Sequence, residues 1–407
     1  MHIPMSSPDI TDAEIASVVD VLRTPVLSIG PQIVAFEREL AAYVGARHAV
    51  GVNSGTSGLH LCALAAGLRD GDLAITTPFS FIASSNALLY DRAVPLFVDV
   101  DPATGNIDPA LVAEAAAALT GGTAAQAARW LPPALRCAPA GRLKAILPVH
   151  AFGQPPDMDP IHATARRHEL AVIEDACEAI GSEYKGRAAG TLGDAAVFAF
   201  YPNKQMTTGE GGMVVTDNPA WDELFRSLRN QGRDVFDAWL NHSRLGYNYR
   251  LDELSAALGL AQIRRIDQML EGRARVAGWY NERLAGLEPV ERPYIAPTTT
   301  RMSWFVYVVR VLEPASRDEV LRGLEAAGIP SRPYFTPIHL QPFYRNTFGY
   351  QRGDFPVTER LGDVSLALPF SGVMTEAQVD YVCEHLRRLL LPRLTIARPK
   401  RAKLLQV

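Results

Sequence analysis

His48-Ala49-Val50-Gly51-Val52, running into Asn53-Ser54-Gly55-Thr56-Ser57-Gly58, is the stretch that decides the fold. Its first five residues are apolar without alternation, which predicts a short strand covered on both faces. The next six are small, polar and glycine-rich, and they lead into a helix-like run from Leu59 to Leu68. Strand, tight turn and helix together open a βα unit. Six further apolar runs of the same kind follow, at Leu73–Thr76, Val94–Val98, Ala145–Val149, Ala171–Glu174, Ala195–Ala199 and Gly212–Val215. Helical patterns separate most of them, so the prediction is an α/β fold with a mostly parallel sheet between helices. Upstream, Thr11-Asp12-Ala13-Glu14 is a capping signal ahead of an amphipathic run that ends at Leu22.

Residues 110–142 are rich in Ala, Leu and Arg and are broken by Gly121-Gly122 and Pro132-Pro133. They read as a helix followed by a surface insertion. A change of composition at Glu288–Thr300, with Pro293, Pro297 and three threonines, reads as a linker. Beyond it Trp304–Leu312 is patterned as a strand, Arg317–Ala327 as a helix and Glu376–Leu391 as a last amphipathic helix, with Pro330–Pro342 irregular. Two domains are therefore expected, a large one over 1–290 and a smaller carboxyl-terminal α/β unit over 291–407. The basic stretch Arg398–Val407 reads as a solvated end.

Composition removes several classes of function. With 48% hydrophobic and 21% charged residues among 407, the chain is globular in character. A net charge of −4 gives no basic footprint for nucleic acid, and no apolar run reaches the ~18 residues that a membrane span needs. The opening MHIPMSSPDI lacks a basic-then-apolar leader. Cys62, Cys137, Cys177 and Cys383 are scattered without zinc-type spacing, so a cytoplasmic protein with reduced thiols and no metal is expected.

Three places could carry chemistry. The Asn53–Gly58 turn offers free backbone N–H groups at a helix start, which favour a bound anion, although a plain helix cap explains such a turn equally well. The strand Ala171–Glu174 ends in Glu174-Asp175, at the carboxyl edge where parallel sheets hold ligands; an exposed turn acid is the alternative. Phe198–Gly212, FAFYPNKQMTTGEGG, sets Lys204 in a tight strand–turn–strand crowded by glycines. A turn lysine is usually solvated, but one held against a sheet edge can lose its proton and attack a carbonyl. Anion cradle, strand-end aspartate and desolvated lysine are together what pyridoxal 5′-phosphate requires, for its phosphate, its pyridine nitrogen and its aldehyde respectively.

With these residues the sequence resembles the DegT/StrS-type family of pyridoxal-phosphate sugar aminotransferases, of fold type I. The resemblance runs through Ser28-Ile29-Gly30-Pro31 with Phe36-Glu37, Ser54-Gly55-Thr56, Pro78 with Phe79-Ser80-Phe81, Asp99-Val100-Asp101, Glu174-Asp175-Ala176, Lys204 with Gly209-Glu210-Gly211-Gly212, and Gly246-Tyr247-Asn248-Tyr249-Arg250. It implies a large domain with a seven-stranded sheet and a smaller domain beside it. It further implies that Lys204 carries the cofactor as a Schiff base and moves the proton, and that Asp175 pairs with the pyridinium nitrogen. Gly55, Thr56 and Ser57 would bind the phosphate, and Phe81 would stack on the ring. Asn248 would reach the phosphate in the neighbouring subunit of a homodimer. The implied reaction moves an amino group from L-glutamate to a keto group of a nucleotide-linked sugar.

Two positions depart from the commoner family pattern. Ala199 stands where many relatives have a serine that donates to the phosphate, so that contact is missing or comes from Asn203 or Thr207. Glu178 stands where many have a glutamine near the cofactor's phenolic oxygen, and it is expected to be protonated or turned away. Relatives that act as sugar dehydratases have histidine in place of the lysine, so Lys204 favours transamination. A ketocyclitol acceptor with L-glutamine as donor, a dehydratase and a non-catalytic regulator that binds the cofactor are the alternatives. His150 reads either as a cleft residue or as a structural histidine, and Tyr334-Phe335 with Pro337-Ile338-His339 either as a substrate lip or as a core cluster. Asp99 and Asp101 read as turn residues and Arg250 as a surface arginine.

Overall fold

The computed structural model describes residues 2–137, 141–234 and 241–396. Among the described residues up to Thr216 nine strands arise: β1 (His48–Val52), β2 (Leu73–Thr76), β3 (Val94–Phe97), β4 (Leu143–Ile146), β5 (Ala171–Asp175), β6 (Glu183–Tyr184), β7 (Arg187–Ala188), β8 (Ala195–Ala199) and β9 (Gly212–Thr216). Seven of them form one sheet in the order β1-β9-β8-β5-β4-β2-β3. The pairs from β8 through β3 are parallel, whereas β9 runs antiparallel to both β8 and β1. The cause is local. Helical crossovers separate most of the parallel strands and the β6–β7 ribbon carries the chain from β5 to β8, but only the short loop 200–211 joins β8 to β9, and a tight return reverses the chain.

The seven strands expected from their apolar runs are all present. Two differences have physical causes. The run at Ala145–Val149 forms its strand earlier, over Leu143–Ile146, because Pro148 has no N–H to give the ladder. The helix after β1 starts at Gly55 rather than Leu59, because the Ser54 side chain accepts the Ser57 N–H at 3.1 Å and caps it there. The expected surface insertion is instead anchored. It forms the helices Pro109–Gly121 and Ala124–Trp130, the second opened by a Thr123–Gln126 capping box. Its Leu131 is buried with Leu96, Val112 and Leu143, and Leu135 packs beside Tyr344.

A second, antiparallel sheet has the order β10-β12-β14-β13, from β10 (Val290–Glu291), β12 (Tyr307–Val311), β13 (Arg332–Pro333) and β14 (Ser365–Leu368). The stretch read as a linker thus contains β10 and also β11 (Thr299–Arg301), which pairs with β6 in a three-stranded ribbon. Tyr307, Leu366, Val379 and Leu386 pack beneath the second sheet together with Ile3 and with Val276 and Tyr280 of the helix Ile266–Arg283. Among the described residues no helix is long and apolar enough to cross a membrane.

Candidate active site

The parallel strands end along one edge of the large sheet, and the loops leaving that edge enclose a cavity of about 390 Å³. Ser54, Gly55 and Thr56 line it from the end of β1, Asp175 from β5, and Ala199 and Lys204 from β8 and the loop after it. At the helix start, the Ser57 N–H is taken by Ser54 Oγ and the Gly58 N–H by the Ser54 carbonyl. The N–H groups of Gly55 and Thr56 have no partner within the helix, and they are the ones beside the cavity. Gly55 packs hard against the sheet: a Cβ there would come within 2.8 Å of Ala199 Cβ and Cys177 Sγ.

Strand alternation separates the two acids of Glu174-Asp175. Glu174 lies on the far face and accepts the N–H groups of Gly190, Leu192 and Gly193 at 2.6–2.9 Å. His150 is fully buried on that same side, its Nε2 3.2 Å from Glu174, so it is not a cleft residue. Asp175 lines the cavity, with Oδ2 accepting from the Ser84 hydroxyl at 2.6 Å and Oδ1 from the Cys177 N–H at 3.2 Å.

Lys204 Nζ lies 3.4 Å from Glu178 Oε1 and 3.9 Å from the centre of the Phe305 ring. The other Glu178 oxygen accepts the Phe152 N–H at 3.0 Å. Glu178 therefore faces the lysine and is not turned away. Burial raises its pKa above the usual carboxylate range, outweighing Lys204 and the Phe152 N–H, which pull the other way. Phe152 and Trp304, both in the left-handed region at φ 61° and 46°, shape the two turns that meet here, where the Phe305 N–H donates to the Phe152 carbonyl.

Other residues singled out from the sequence fall into different places. Phe81 lines the cavity at its mouth and is 64% exposed. The Ser57 hydroxyl does not line the cavity; it donates to Asn53 Oδ1 at 2.7 Å, so its side chain holds the turn together. Thr207 is likewise occupied, donating to the Phe200 carbonyl and accepting the Gly209 N–H, whereas Asn203 does line the cavity. Asn248 is exposed, does not line its own chain's cavity, and is held by its carbonyl to the Asn53 side chain at 3.3 Å. Tyr334 is a lip of the cavity, while His339 is buried against Glu359 at 3.0 Å. Asp99 holds the backbone N–H groups of Val357 and Thr358. Among the described residues no group of three or more His, Cys, Asp or Glu is arranged to hold a metal ion.

Ser84, Phe305 and Ser54 are cavity residues that the sequence did not single out as such. Ser54 stood inside a quoted motif. The other two carry no local signal, since each becomes relevant only by tertiary contact with Asp175 or Lys204. The donor set fits the pyridoxal phosphate that the resemblance implies: unpartnered N–H groups for an anion, a buried carboxylate for a ring nitrogen, and a partly covered amine for a carbonyl.

Comparison with known proteins agrees. The model of the DegT/DnrJ/EryC1/StrS aminotransferase family matches residues 8–387. The chain is 40% identical over 394 residues to GDP-perosamine synthase of Caulobacter vibrioides, covering 96% of this chain and 99% of that protein. It is 36% identical over 402 residues to the spore coat polysaccharide biosynthesis protein SpsC of Bacillus subtilis, covering 95% and 97%. Among solved structures, the pyridoxal-phosphate form of Spr1654 from Streptococcus pneumoniae superposes with a TM-score of 0.85 at 26% identity, over 96% of this chain and 99% of that one. The chain belongs to the DegT/DnrJ/EryC1/StrS aminotransferase family.

Proposed function

We propose that this aminotransferase moves an amino group from L-glutamate to a keto group of a nucleotide-linked sugar, with pyridoxal phosphate as cofactor. The observation that carries the reading is the convergence of Lys204, Asp175 and the Gly55–Thr56 N–H groups on one cavity. The names of two relatives support the acceptor class, one making GDP-perosamine and the other serving polysaccharide biosynthesis.

Bound pyridoxal phosphate supplies an electron sink that acidifies the amine-bearing carbon and stores the amino group between half-reactions. In our reading Gly55 and Thr56 bind the phosphate through backbone N–H groups, and Ser57 keeps that turn in shape. Asp175, fixed by Ser84 and Cys177, holds a proton at the ring nitrogen. Phe81 covers the ring. Lys204 would hold the cofactor through its amine and, when that amine is free, would carry a proton to and from the substrate carbon. Glu178, whose burial raises its carboxyl pKa, would hold a proton more readily than an ordinary carboxylate near the phenolic oxygen.

The active unit in this reading is a homodimer in which Asn248 reaches the partner's phosphate. Ile15, Val19, Leu22, Val26, Leu27, Ile29 and Val34 are exposed close together in sequence, an apolar surface suited to a second copy. We divide the chain into a cofactor-binding domain over 1–290 and a smaller domain over 291–407 that supplies Phe305 and Tyr334 to the cavity.

The test is the visible absorbance of the protein with pyridoxal phosphate, before and after L-glutamate and then L-glutamine. The expected result is bleaching by L-glutamate and no donor-dependent change in Lys204→Ala. Bleaching by L-glutamine alone would replace the donor, and an absorbance band indifferent to every amino acid would overturn the reading.

A further inference from the structure

Arg273 lies on the helix Ile266–Arg283 and is 3% exposed. Its Nη1 donates to the carbonyls of Trp304 at 3.3 Å and Phe305 at 3.1 Å, and its Nη2 to those of Asn203 at 3.3 Å and Lys204 at 2.5 Å. No carboxylate is ion-paired with it among the described residues, and its guanidinium lies 5.7 Å from the centre of the Phe370 ring. Burial pushes the guanidinium down to about 10, opposed by the charge of Asp9. A buried cation without a counter-ion is costly to keep. Carbonyls alone do not call for one, because the neutral amide of Gln205 does the same work next door on Glu178 O and Ser303 Oγ. What arginine adds is a planar fork whose donors fix two separate pairs of carbonyls in one geometry.

The two pairs belong to the two segments that surround the lysine nitrogen. Asn203 and Lys204 are the lysine loop. Trp304 and Phe305 are the turn before β12, which lays the Phe305 ring over Nζ. The contacts close on themselves: Arg273 to the Lys204 peptide, Lys204 Nζ to Glu178, Glu178 to the Phe152 N–H, the Phe152 carbonyl to the Phe305 N–H, and the Phe305 carbonyl back to Arg273.

We propose that Arg273 is a positioning residue that clamps the lysine loop to the Phe305 turn, so that the Lys204 side chain leaves and returns from a fixed base. The proposal rests on the role given to Lys204 above. The clamp acts on the peptide and not on the reacting atoms, so its loss should affect turnover more than donor binding.

The experiment uses Arg273→Met, which removes the fork, and Arg273→Lys, which keeps the charge with one point of donation. Acylation of Lys204 relative to the exposed Lys185 is measured by peptide mass spectrometry in cofactor-free protein, below the melting temperature of each variant. The maximal rate of the donor-driven absorbance change, and the donor concentration for half that rate, are measured with pyridoxal phosphate. In Arg273→Met the relative labelling of Lys204 is expected to change several-fold, while the maximal rate falls about a hundredfold, the scale of an ångström of misplacement. The half-saturating donor concentration should stay nearly constant, and Arg273→Lys should fall between the two. A melting temperature that drops while labelling and maximal rate stay at the parent values would overturn the proposal. Should Arg273→Met not fold, the same two readouts unchanged in Arg273→Lys would overturn it. Failure of the parent protein to respond to any donor would overturn the function proposed above, while the labelling comparison would still decide the clamp.

Discussion

Glu174, Asp175 and Glu178 put three carboxyl groups within five residues, and their surroundings give each a different task. Glu174 is saturated by three backbone N–H groups on the far side of the sheet, and Asp175 is held by Ser84 and Cys177. Glu178 has one N–H and the lysine, too little to offset its burial, so its pKa is raised. The sign of the linkage follows. A carboxyl that binds its proton more tightly when folded favours the folded state at low pH, and that advantage is lost as pH rises above the unfolded value of ~4.3. Glu178→Gln should therefore melt at a temperature closer to the parent's near pH 4 and gain on it as pH rises toward neutrality, which a pH series of thermal melts would check. The variant should also retain binding of pyridoxal phosphate. The resemblance put Glu178 near the cofactor's phenolic oxygen, protonated or turned away, but did not show that it faces the lysine. Ser84, Phe305 and Arg273 were not legible in the sequence, because each lies far along the chain from Asp175 or Lys204 and only folding makes them neighbours.

Among the elements, the helix Asp12–Leu22 shows how far a local signal reaches. The capping box read from Thr11 and Glu14 is formed. What the sequence did not reveal is that Glu14 also accepts from Gln262 at 3.0 Å and from Arg265. Burial resists ionisation of Glu14, but the bonds from Thr11, Arg265 and Gln262 prevail and bring its carboxyl down to about 2. A depressed carboxyl stabilises the fold above its unfolded value of ~4.3 and loses that contribution as pH falls toward the folded one. Protection from hydrogen exchange over residues 12–22, relative to the intrinsic rate at each pH, should thus fall between about pH 4 and pH 2 in the parent, and Glu14→Gln should remove most of that dependence. Because Gln262 also accepts the Thr207 N–H at 3.2 Å, the lysine loop should loosen with the helix. The strands were legible because burial on both faces writes itself as unbroken apolar runs. Their ends were less so, since a single Pro148 or Ser54 decides where pairing stops or a helix starts.

At the scale of the whole molecule, the second sheet was legible as a change of composition, but its core was not. Ile3 belongs to that core although it lies far from it in sequence, and Tyr280 joins it from before the change of composition. The proposed dimer is tested by complementation. Lys204→Ala and Asn248→Ala should each be inactive alone, and a refolded mixture should regain part of the activity, because mixed dimers join an intact lysine to an intact Asn248 in one of their two sites. No recovery, with mixed dimers demonstrated by mass, would confine each site to a single chain.

The pairing of β1 with β9 bears on how such a protein can be made. Among the described residues β1 is an edge strand paired in the sheet with β9, with Val52 opposite Gly212 and bridged singly to Arg250. During synthesis β1 leaves the ribosome early and must wait, apolar and unpaired, until β9 follows. The loop that closes between them holds every other strand of the large sheet, so its closure comes late. The Ser54–Thr56 turn at the end of β1 and the lysine loop before β9, which line one cavity, are then brought together by the same event. A nascent chain halted short of Thr216 would hold half a site and an open strand edge, a template for aggregation and a natural target for chaperones.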